Sequence, residues 1–220
     1  MSIQQPAPIV PAGAAIESAS FLVIDEKVTD HSAYDSQQWN IVRRLIHTSG
    51  DFDFNGLTKF HPQAITAAIE AFKNSAPLIV DVQMIKAGLT HRRLDPLGVE
   101  VYQFNADQEV IELAKKEGTT RTVQAVRSAW RQGLLDGGIA AIGNAPTALL
   151  EIIRLIKEEQ VRPALIVGVP VGFISAAESK TALMAIKETP WISIDGTKGG
   201  STLAVAALHA LMDLALGKAN

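Results

Sequence analysis

His47 stands in a setting that suits proton transfer. It lies in the segment RLIHTSG, residues 44–50, where a predicted helix runs out at Gly50. In the last turn of a helix the macrodipole favours the protonated imidazole, and histidine titrates near neutral pH. A positioned imidazolium could act as a general acid, which makes His47 the first candidate for catalysis. Taken without its context, a histidine at a helix end is more often a cap or a surface residue.

The other histidines are weaker candidates for chemistry. His61 precedes Pro62 and is expected to help start a helix, whereas His209 lies inside a predicted helix and is expected to pack. His91 belongs to the segment THRR, residues 90–93, which is expected to be an exposed basic turn. No acidic residues accompany the histidines at metal-ligand spacing, so no metal site is predicted. The sequence has no cysteine, which excludes disulfides, thiolate metal sites and a cysteine nucleophile.

Four polar or glycine-containing segments follow predicted strands, at 81–84, 143–147, 170–180 and 196–201. The carboxyl ends of parallel strands share one edge of a sheet, so these segments are expected to lie at the same edge. Glycine there lets the backbone approach a ligand closely, and helix N-termini offer N–H donors. The alternative for any one segment is an ordinary turn between a strand and a helix. The run GTKGGS matches neither GxGxxG nor a P-loop, so nucleotide binding has no specific support.

Hydrophobic periodicity predicts the elements that carry these residues. Helices are predicted at 14–27, from a cap at Asp35 or Ser36 to Gly50, at 63–76, in a brief segment that ends at Ala87, and at 107–116, 121–135, 148–159, 176–187 and 201–216. Strands are predicted at 78–80, 100–104, 139–142, 164–169 and 191–194, and 51–60 is predicted to be a loop. This alternation predicts a single-domain α/β fold, with a doubly wound, mostly parallel sheet flanked by helices.

Composition and charge narrow the class of protein. The 220 residues are 47% apolar and 20% charged, typical of one globular domain. A formal net charge of −3 and a pI of about 6.0 give no sign of a nucleic-acid partner. Residues 1–13 contain three prolines and no signal-peptide pattern, so they are predicted to be an extended or disordered arm before one domain at 14–220. No apolar stretch is long enough to span a membrane, and a cytoplasmic location is expected.

Five blocks in the same order resemble the precorrin-8X methylmutase (precorrin isomerase) family. They are IHTSGDFDF, VDVQMIKAGLTHRRL, GNAPTAL, PVGFISAAESK and GGSTLAVAALHAL. Five ordered blocks are far more specific than one short motif, and the resemblance runs from about the second predicted helix to the C-terminus. The arm before Ala14 lies outside it, and residues 97–119 contribute little.

The resemblance implies an α/β homodimer that binds a large tetrapyrrole rich in carboxylates. It implies migration of a methyl group from C-11 to C-12 of precorrin-8X, giving hydrogenobyrinate, or cobyrinate from the cobalt-containing substrate. The catalytic role falls on His47, the histidine of the family's R-x-x-H-x-S/C-G pattern. A 1,5-methyl shift is sigmatropic and needs no redox cofactor, metal or covalent nucleophile, so no cofactor is expected. It needs one conformer held tightly, with a proton or hydrogen bond at the migration terminus.

Contacts to the substrate are predicted in and beside the family-like blocks. Guanidinium groups suit carboxylates best, and Arg92, Arg93 and Arg44 rank first. Arg121 and Arg127 lie in a less diagnostic helix. Any one of these charges could simply be solvated, and Lys180 could instead pair near Glu178. The predicted substrate-binding set is Arg43, Arg44, Thr48, Ser49, Thr90, Arg92, Arg93, Gly143, Asn144, Thr147, Gly172, Lys180, Gly199, Gly200 and Ser201.

Two other functions stay open at this point. One is a non-catalytic carrier of a corrinoid or another tetrapyrrole, which would need the same cations but no positioned acid at His47. The other is a nucleotide-binding α/β domain, which lacks its phosphate loop. A homodimer is expected because a wide macrocycle exceeds the strand ends of one small domain. The apolar helix at 201–216 is expected to lie at the subunit interface.

Overall fold

A six-stranded sheet forms the centre of the protein, which we describe from a computed structural model covering residues 13–218, apart from the side chain of Ala14. The strands are β1 Thr58–Phe60, β2 Leu78–Val80, β3 Val101–Tyr102, β4 Ile139–Ile142, β5 Leu165–Gly168 and β6 Trp191–Ile194. Their order in the sheet is β1-β6-β5-β4-β2-β3, and all neighbours are parallel except β1 and β6. The predicted arm lies outside the described residues, apart from Gly13.

Eleven helical segments surround the sheet within the described residues. They are α1 Gly13–Lys27, α2 Ser36–Ser49, α3 Phe54–Leu57, α4 Ala64–Lys73, α5 Gln83–Gly88, α6 His91–Leu97, α7 Gln108–Glu117, α8 Arg121–Arg131, α9 Pro146–Glu158, α10 Ala176–Met184 and α11 Ser201–Ala215. No helix among the described residues is long and apolar enough to cross a membrane.

Successive strand residues point into two separate cores. Leu78 and Val80 of β2 pack on one face of the sheet, and Ile79 between them packs on the other. Helices α1, α2, α4, α5, α6 and α11 cover the first face, and α7 to α10 cover the second. Strands buried on both faces are almost continuously apolar, because each residue faces one core or the other. This confirms the predicted single-domain α/β fold with a doubly wound, mostly parallel sheet.

Helix α2 begins and ends where its sequence indicates. Asp35 is the N-cap, and its side chain accepts hydrogen bonds from the backbone N–H groups of Gln37 and Gln38. The Gln38 side chain accepts from the Asp35 backbone in return, which completes a capping box. Gly50 ends the helix in the left-handed region at φ 69°, which favours glycine. His47 therefore occupies the predicted last turn.

Three local predictions were wrong. The predicted loop at 51–60 contains α3 and the edge strand β1, whose residues TKF include an exposed lysine and lack the continuous apolar run that indicates a buried strand. The predicted basic turn at 90–93 is instead the start of α6, and Arg93 is buried there. The helix predicted at the subunit interface, α11, packs instead against α2, α4 and α5 of its own chain. Most of its apolar surface is therefore already buried.

Candidate active site

His47 lines a groove between α1 and the end of α2. The groove has a volume of about 470 Å³, and its walls include Ile16, Ser20 and Val23 of α1 and Phe52 of the following loop. The His47 side chain is exposed, and its ring makes an edge contact with Phe21, with centroids 5.3 Å apart. An imidazole at the rim of a mostly apolar groove can meet a ligand that fills it.

Ser20 is a polar residue of this groove that sequence reasoning missed. Its hydroxyl donates to the carbonyl of Ile16 at 2.8 Å, so its oxygen still has lone pairs for a ligand. Ala15, Ala19 and Ser20 are small residues of α1, and all three line the groove. A run of small residues on one helix face was a readable signal, although only the packing of α1 beside α2 makes it a cavity wall.

A second, smaller pocket lies along α2, α5 and α11. It has a volume of about 320 Å³ and is lined by Arg44, Thr48, Met84 and His209 among others. The Thr48 hydroxyl donates to the Arg44 carbonyl at 2.8 Å. Nε2 of His209 is buried without a hydrogen-bond partner among the described residues. Burial, reinforced by the nearby Arg93 and Arg44 charges, lowers the pKa of His209 to about 4, so this ring is neutral at pH 7.

Three of the predicted arginines are paired inside the protein. Arg43 donates to Asp25 at 2.7 Å and to Asn40, and its guanidinium lies 4.6 Å from the ring centre of Phe21. Arg44 donates to Glu17 at 2.8 Å. These guanidinium groups are buried and already have carboxylate partners, so their predicted role as ligands for substrate carboxylates gains no support from the geometry.

Arg93 is the third arginine that is paired inside the protein, whereas Arg92 lies on the surface. The Arg93 guanidinium is buried against Asp213 of α11. Arg92 is exposed and has no ion pair among the described residues. Thr90 occupies the N-cap position of α6, and its hydroxyl lies 3.5 Å from Nη1 of Arg93. Of the four predicted arginines, Arg92 is therefore the one placed to meet an anionic arm from solvent.

Asp81 fills the place where a parallel sheet would bind an anion. It follows β2, next to β4, where the chain order in the sheet reverses. Its carboxylate accepts from the backbone N–H groups of Gly143 at 3.1 Å, Asn144 at 2.8 Å and Ala145 at 2.7 Å. Burial raises the pKa of Asp81, and these three bonds oppose the rise. The predicted ligand-binding amides of Gly143 and Asn144 are thus already occupied.

Two more of the predicted substrate-binding residues, Ser201 and Thr147, make contacts inside the protein. A Cβ on Gly143 would lie 2.8 Å from Cα of Ser201, so this glycine allows α11 to begin close to β4. Ser201 is buried at that contact. The Thr147 hydroxyl lies 3.2 Å from the hydroxyls of Thr120 and Thr122, which joins the starts of α8 and α9.

The loops after β5 and β6 hold each other. Gly172 donates from its backbone N–H to Thr197, and Gly200 donates to Val169. Lys180 is fully buried, and its Nζ donates to the Lys198 carbonyl at 2.6 Å. Burial lowers the pKa of Lys180 to about 8.

Gly199 lets these two loops approach closely, because a Cβ there would lie 2.3 Å from the Val169 carbonyl oxygen. Ser49 lies in the last turn of α2, two residues after His47. Its hydroxyl donates to the Leu45 carbonyl at 2.8 Å. The structure brings the end of α2 to the loop after β6, since Lys198 Nζ reaches Asp51. The segment 143–147 lines neither the groove at His47 nor the pocket along α2, α5 and α11.

Comparison with known proteins decides the family. The family model described as precorrin-8X methylmutase matches residues 15–214. A cobalt-precorrin-8 methylmutase of Leptospira interrogans is 48% identical over 205 residues, covering 91% of this chain and 93% of that protein. One from Priestia megaterium is 46% identical over 200 residues, covering 91% and 87%. The chain belongs to the precorrin-8X methylmutase family.

Solved structures agree with this membership. The crystal structure of precorrin-8X methylmutase from Thermus thermophilus superposes with a TM-score of 0.87 at 44% identity, covering 94% of this chain and 99% of that one. The predicted family and the predicted enzyme class, an isomerase of cobalamin biosynthesis, are therefore confirmed. The alternative of a non-catalytic carrier is not favoured. Within residues 13–218, no group of three or more metal-binding side chains is placed to hold a metal ion.

Proposed function

We propose that this precorrin-8X methylmutase carries out its reaction at the groove beside His47. The substrate is precorrin-8X or cobalt-precorrin-8, and the products are hydrogenobyrinate and cobyrinate. The methyl carbon leaves C-11 and bonds to C-12, while His47 donates a proton or a hydrogen bond to the macrocycle. The observation that carries this proposal is an exposed imidazole, in the last turn of α2, on the wall of an apolar groove.

The methyl shift depends more on how the substrate is held than on chemically reactive side chains. A sigmatropic methyl shift breaks one carbon–carbon bond and forms another within the same molecule. A proton near the migration terminus makes that carbon electron-poor and so lowers the barrier. His47 lies in the last turn of α2, on the wall of the groove. Apolar walls from Ile16, Val23 and Phe52 suit the methyl-rich faces of a corrinoid.

We assign the carboxylate arms chiefly to Arg92, with Thr48 and Thr90 as hydrogen-bond partners. Arg92 is exposed, and no carboxylate of the described residues neutralises it. Arg43, Arg44 and Arg93 already pair with Asp25, Glu17 and Asp213.

We also propose that the enzyme works as a homodimer in the cytoplasm. The groove at His47 is open, and the apolar side chains of Ile16, Val23 and Phe52 at its walls are 48%, 47% and 40% exposed. Phe173 and Ile174, in the loop after β5, are 93% and 85% exposed. A second subunit would cover such apolar surface and complete a pocket for a wide ligand. Light scattering that reports a monomer with full activity would contradict this.

The test is turnover of the two substrates by wild type and by His47→Ala, followed by absorption spectroscopy. Acid catalysis by one side chain contributes roughly 10²–10⁴-fold, so His47→Ala should lose turnover by about that factor while it still binds the product. His47→Asn keeps a neutral donor and should fall between the two. His91→Ala is the matched control, since His91 is exposed and lines neither groove. Wild type that binds the corrinoid without converting it would favour a carrier.

A further inference from the structure

Lys198 joins the loop after β6 to the loop that follows the His47 helix. Its Nζ donates to Asp51 Oδ2 at 2.5 Å and to Asp53 Oδ2 at 2.6 Å. The same ammonium group lies 5.9 Å from the ring centre of Phe54. One cation thus holds two carboxylates that are separated from it by about two-thirds of the chain, and we name this contact the Lys198 clip.

The β6 end of the clip is rigid. The Lys198 carbonyl accepts a hydrogen bond from the buried Nζ of Lys180. The next residue, Gly199, lies too close to the Val169 carbonyl for any side chain, and the Gly200 N–H donates to that same carbonyl. The backbone of Lys198 is therefore held from the interior, and its side chain reaches outward from a fixed point.

The other end of the clip bears directly on the groove. The backbone N–H of Asp51 donates to the Ser49 hydroxyl, and that of Asp53 donates to the Asp51 carboxylate, so both residues continue from the last turn of α2. Phe52 lies between them and lines the groove that contains His47. Fixing Asp51 and Asp53 on both sides of Phe52 fixes that wall.

We propose that Lys198 is a positioning residue for the rearrangement, which through Asp51 and Asp53 holds Phe52 and the end of α2 in place beside the substrate. For its effect on turnover, this inference rests on the function proposed above. The clip itself is a property of the protein without substrate. Nothing in it touches the reacting atoms, so its effect passes through Phe52 and His47.

The experiment compares Lys198→Met, Lys198→Arg and Asp51→Asn/Asp53→Asn with wild type, using cobalt-precorrin-8 and precorrin-8X as substrates. Misplacement of a catalytic geometry by about 1 Å can cost 10²-fold, so we expect kcat to fall roughly tenfold in Lys198→Met. Lys198→Arg should recover most of it. Adding Lys198→Met to the Asp double variant should cause no further loss, because both changes open the same contact. Lys59→Met, an exposed lysine of β1, is the control and should match wild type.

A second readout needs no substrate. The chemical shifts of the His47 imidazole Cε1–H and of the Phe52 ring protons are followed by NMR at one pH, with the His47 signal assigned by a His47→Gln variant. We expect both sets of signals to move in Lys198→Met and in Asp51→Asn/Asp53→Asn but not in Lys59→Met, because only the clip variants release the segment that carries Phe52. Thermal midpoints should change little, since surface ion pairs contribute little stability.

The two proposals fail in different ways. Unchanged kcat in Lys198→Met, or an equal loss in Lys59→Met, would overturn the positioning role of Lys198. Unmoved Phe52 and His47 signals in both clip variants would overturn the link from the clip to the groove. If His47→Ala keeps full turnover while these signals move in the clip variants, the clip stands and the catalytic assignment of His47 falls.

Discussion

Arg93 and Asp213 form a two-bonded ion pair in the interior. Nε of Arg93 donates to Oδ1 at 2.9 Å and Nη2 donates to Oδ2 at 2.8 Å, and both side chains are buried. Nη2 of Arg44 lies 3.5 Å from the same Oδ2, so α2, α6 and α11 meet at one carboxylate. A buried ion pair is costly to form but costlier to break, since removal of one partner leaves the other charge without compensation.

Arg93→Ala and Arg92→Ala should therefore separate structure from binding. Loss of Arg93 should reduce the free energy of unfolding by about 3–5 kcal/mol, because Asp213 loses its main partner. Loss of the exposed Arg92 should leave unfolding unchanged but weaken corrinoid affinity by about 1–3 kcal/mol. Urea denaturation and titration calorimetry on both variants check this. Equal stability in the two variants would contradict the ion-pair argument, and unchanged affinity in Arg92→Ala would move the carboxylate site elsewhere.

The pKa of His209 predicts a loss of stability in mild acid. Its folded-state pKa is about 4, below the ordinary value of 6.5, so the unfolded chain takes up a proton first as pH falls. The stability that neutral His209 supports is complete above pH 6.5 and is lost as pH falls toward 4. We expect this residue to account for roughly 2 kcal/mol, less than the full shift implies because the ring is partly exposed. Between pH 7 and pH 4.5, the free energy of unfolding should fall by roughly 2 kcal/mol less in His209→Leu than in wild type.

Lys180 should show the same direction of pH dependence in a more alkaline window. Its folded-state pKa of about 8 is below the ordinary value of 10.5, so between these values the unfolded chain holds the proton that the folded chain has released. Stability attributable to Lys180 therefore increases with pH across that window, by on the order of 3 kcal/mol. The difference in unfolding free energy between wild type and Lys180→Met, measured from pH 8 to 10.5, reports it. A flat difference would show that the ammonium is solvated.

Asp81 should matter for the start of α9. Asp81→Ala leaves three backbone N–H groups without their acceptor, two of them buried, and we expect a loss of about 3 kcal/mol. Asp81→Asn keeps one acceptor oxygen and should lose less. Hydrogen exchange should quicken at the amides of Gly143, Asn144 and Ala145 in Asp81→Ala, where the three bonds are lost. Protection equal to wild type at these amides would mean that they have other partners.

Local sequence patterns were enough to predict several strands and the ends of α2. The strands at Leu78–Val80, Ile139–Ile142 and Trp191–Ile194 were predicted because apolar runs between turn residues are typical of buried strands. The capping pair of Asp35 and Gly50 likewise marks both ends of α2. The strand Thr58–Phe60 was missed because its pairing with β6 depends on residues far along the chain.

The sequence alone determined the family, the alternation of strands and helices, and the place of His47 in the last turn of its helix. Tertiary structure decided which charges stay available for a ligand. Arg92 and Arg93 are neighbours with the same side chain, yet one is exposed and the other pairs with a carboxylate 120 residues away. In the same way, Asp81 caps amides more than 60 residues along the chain. Hydrophobic period and capping are local, whereas a charge is neutralised by whatever the fold brings within hydrogen-bond distance.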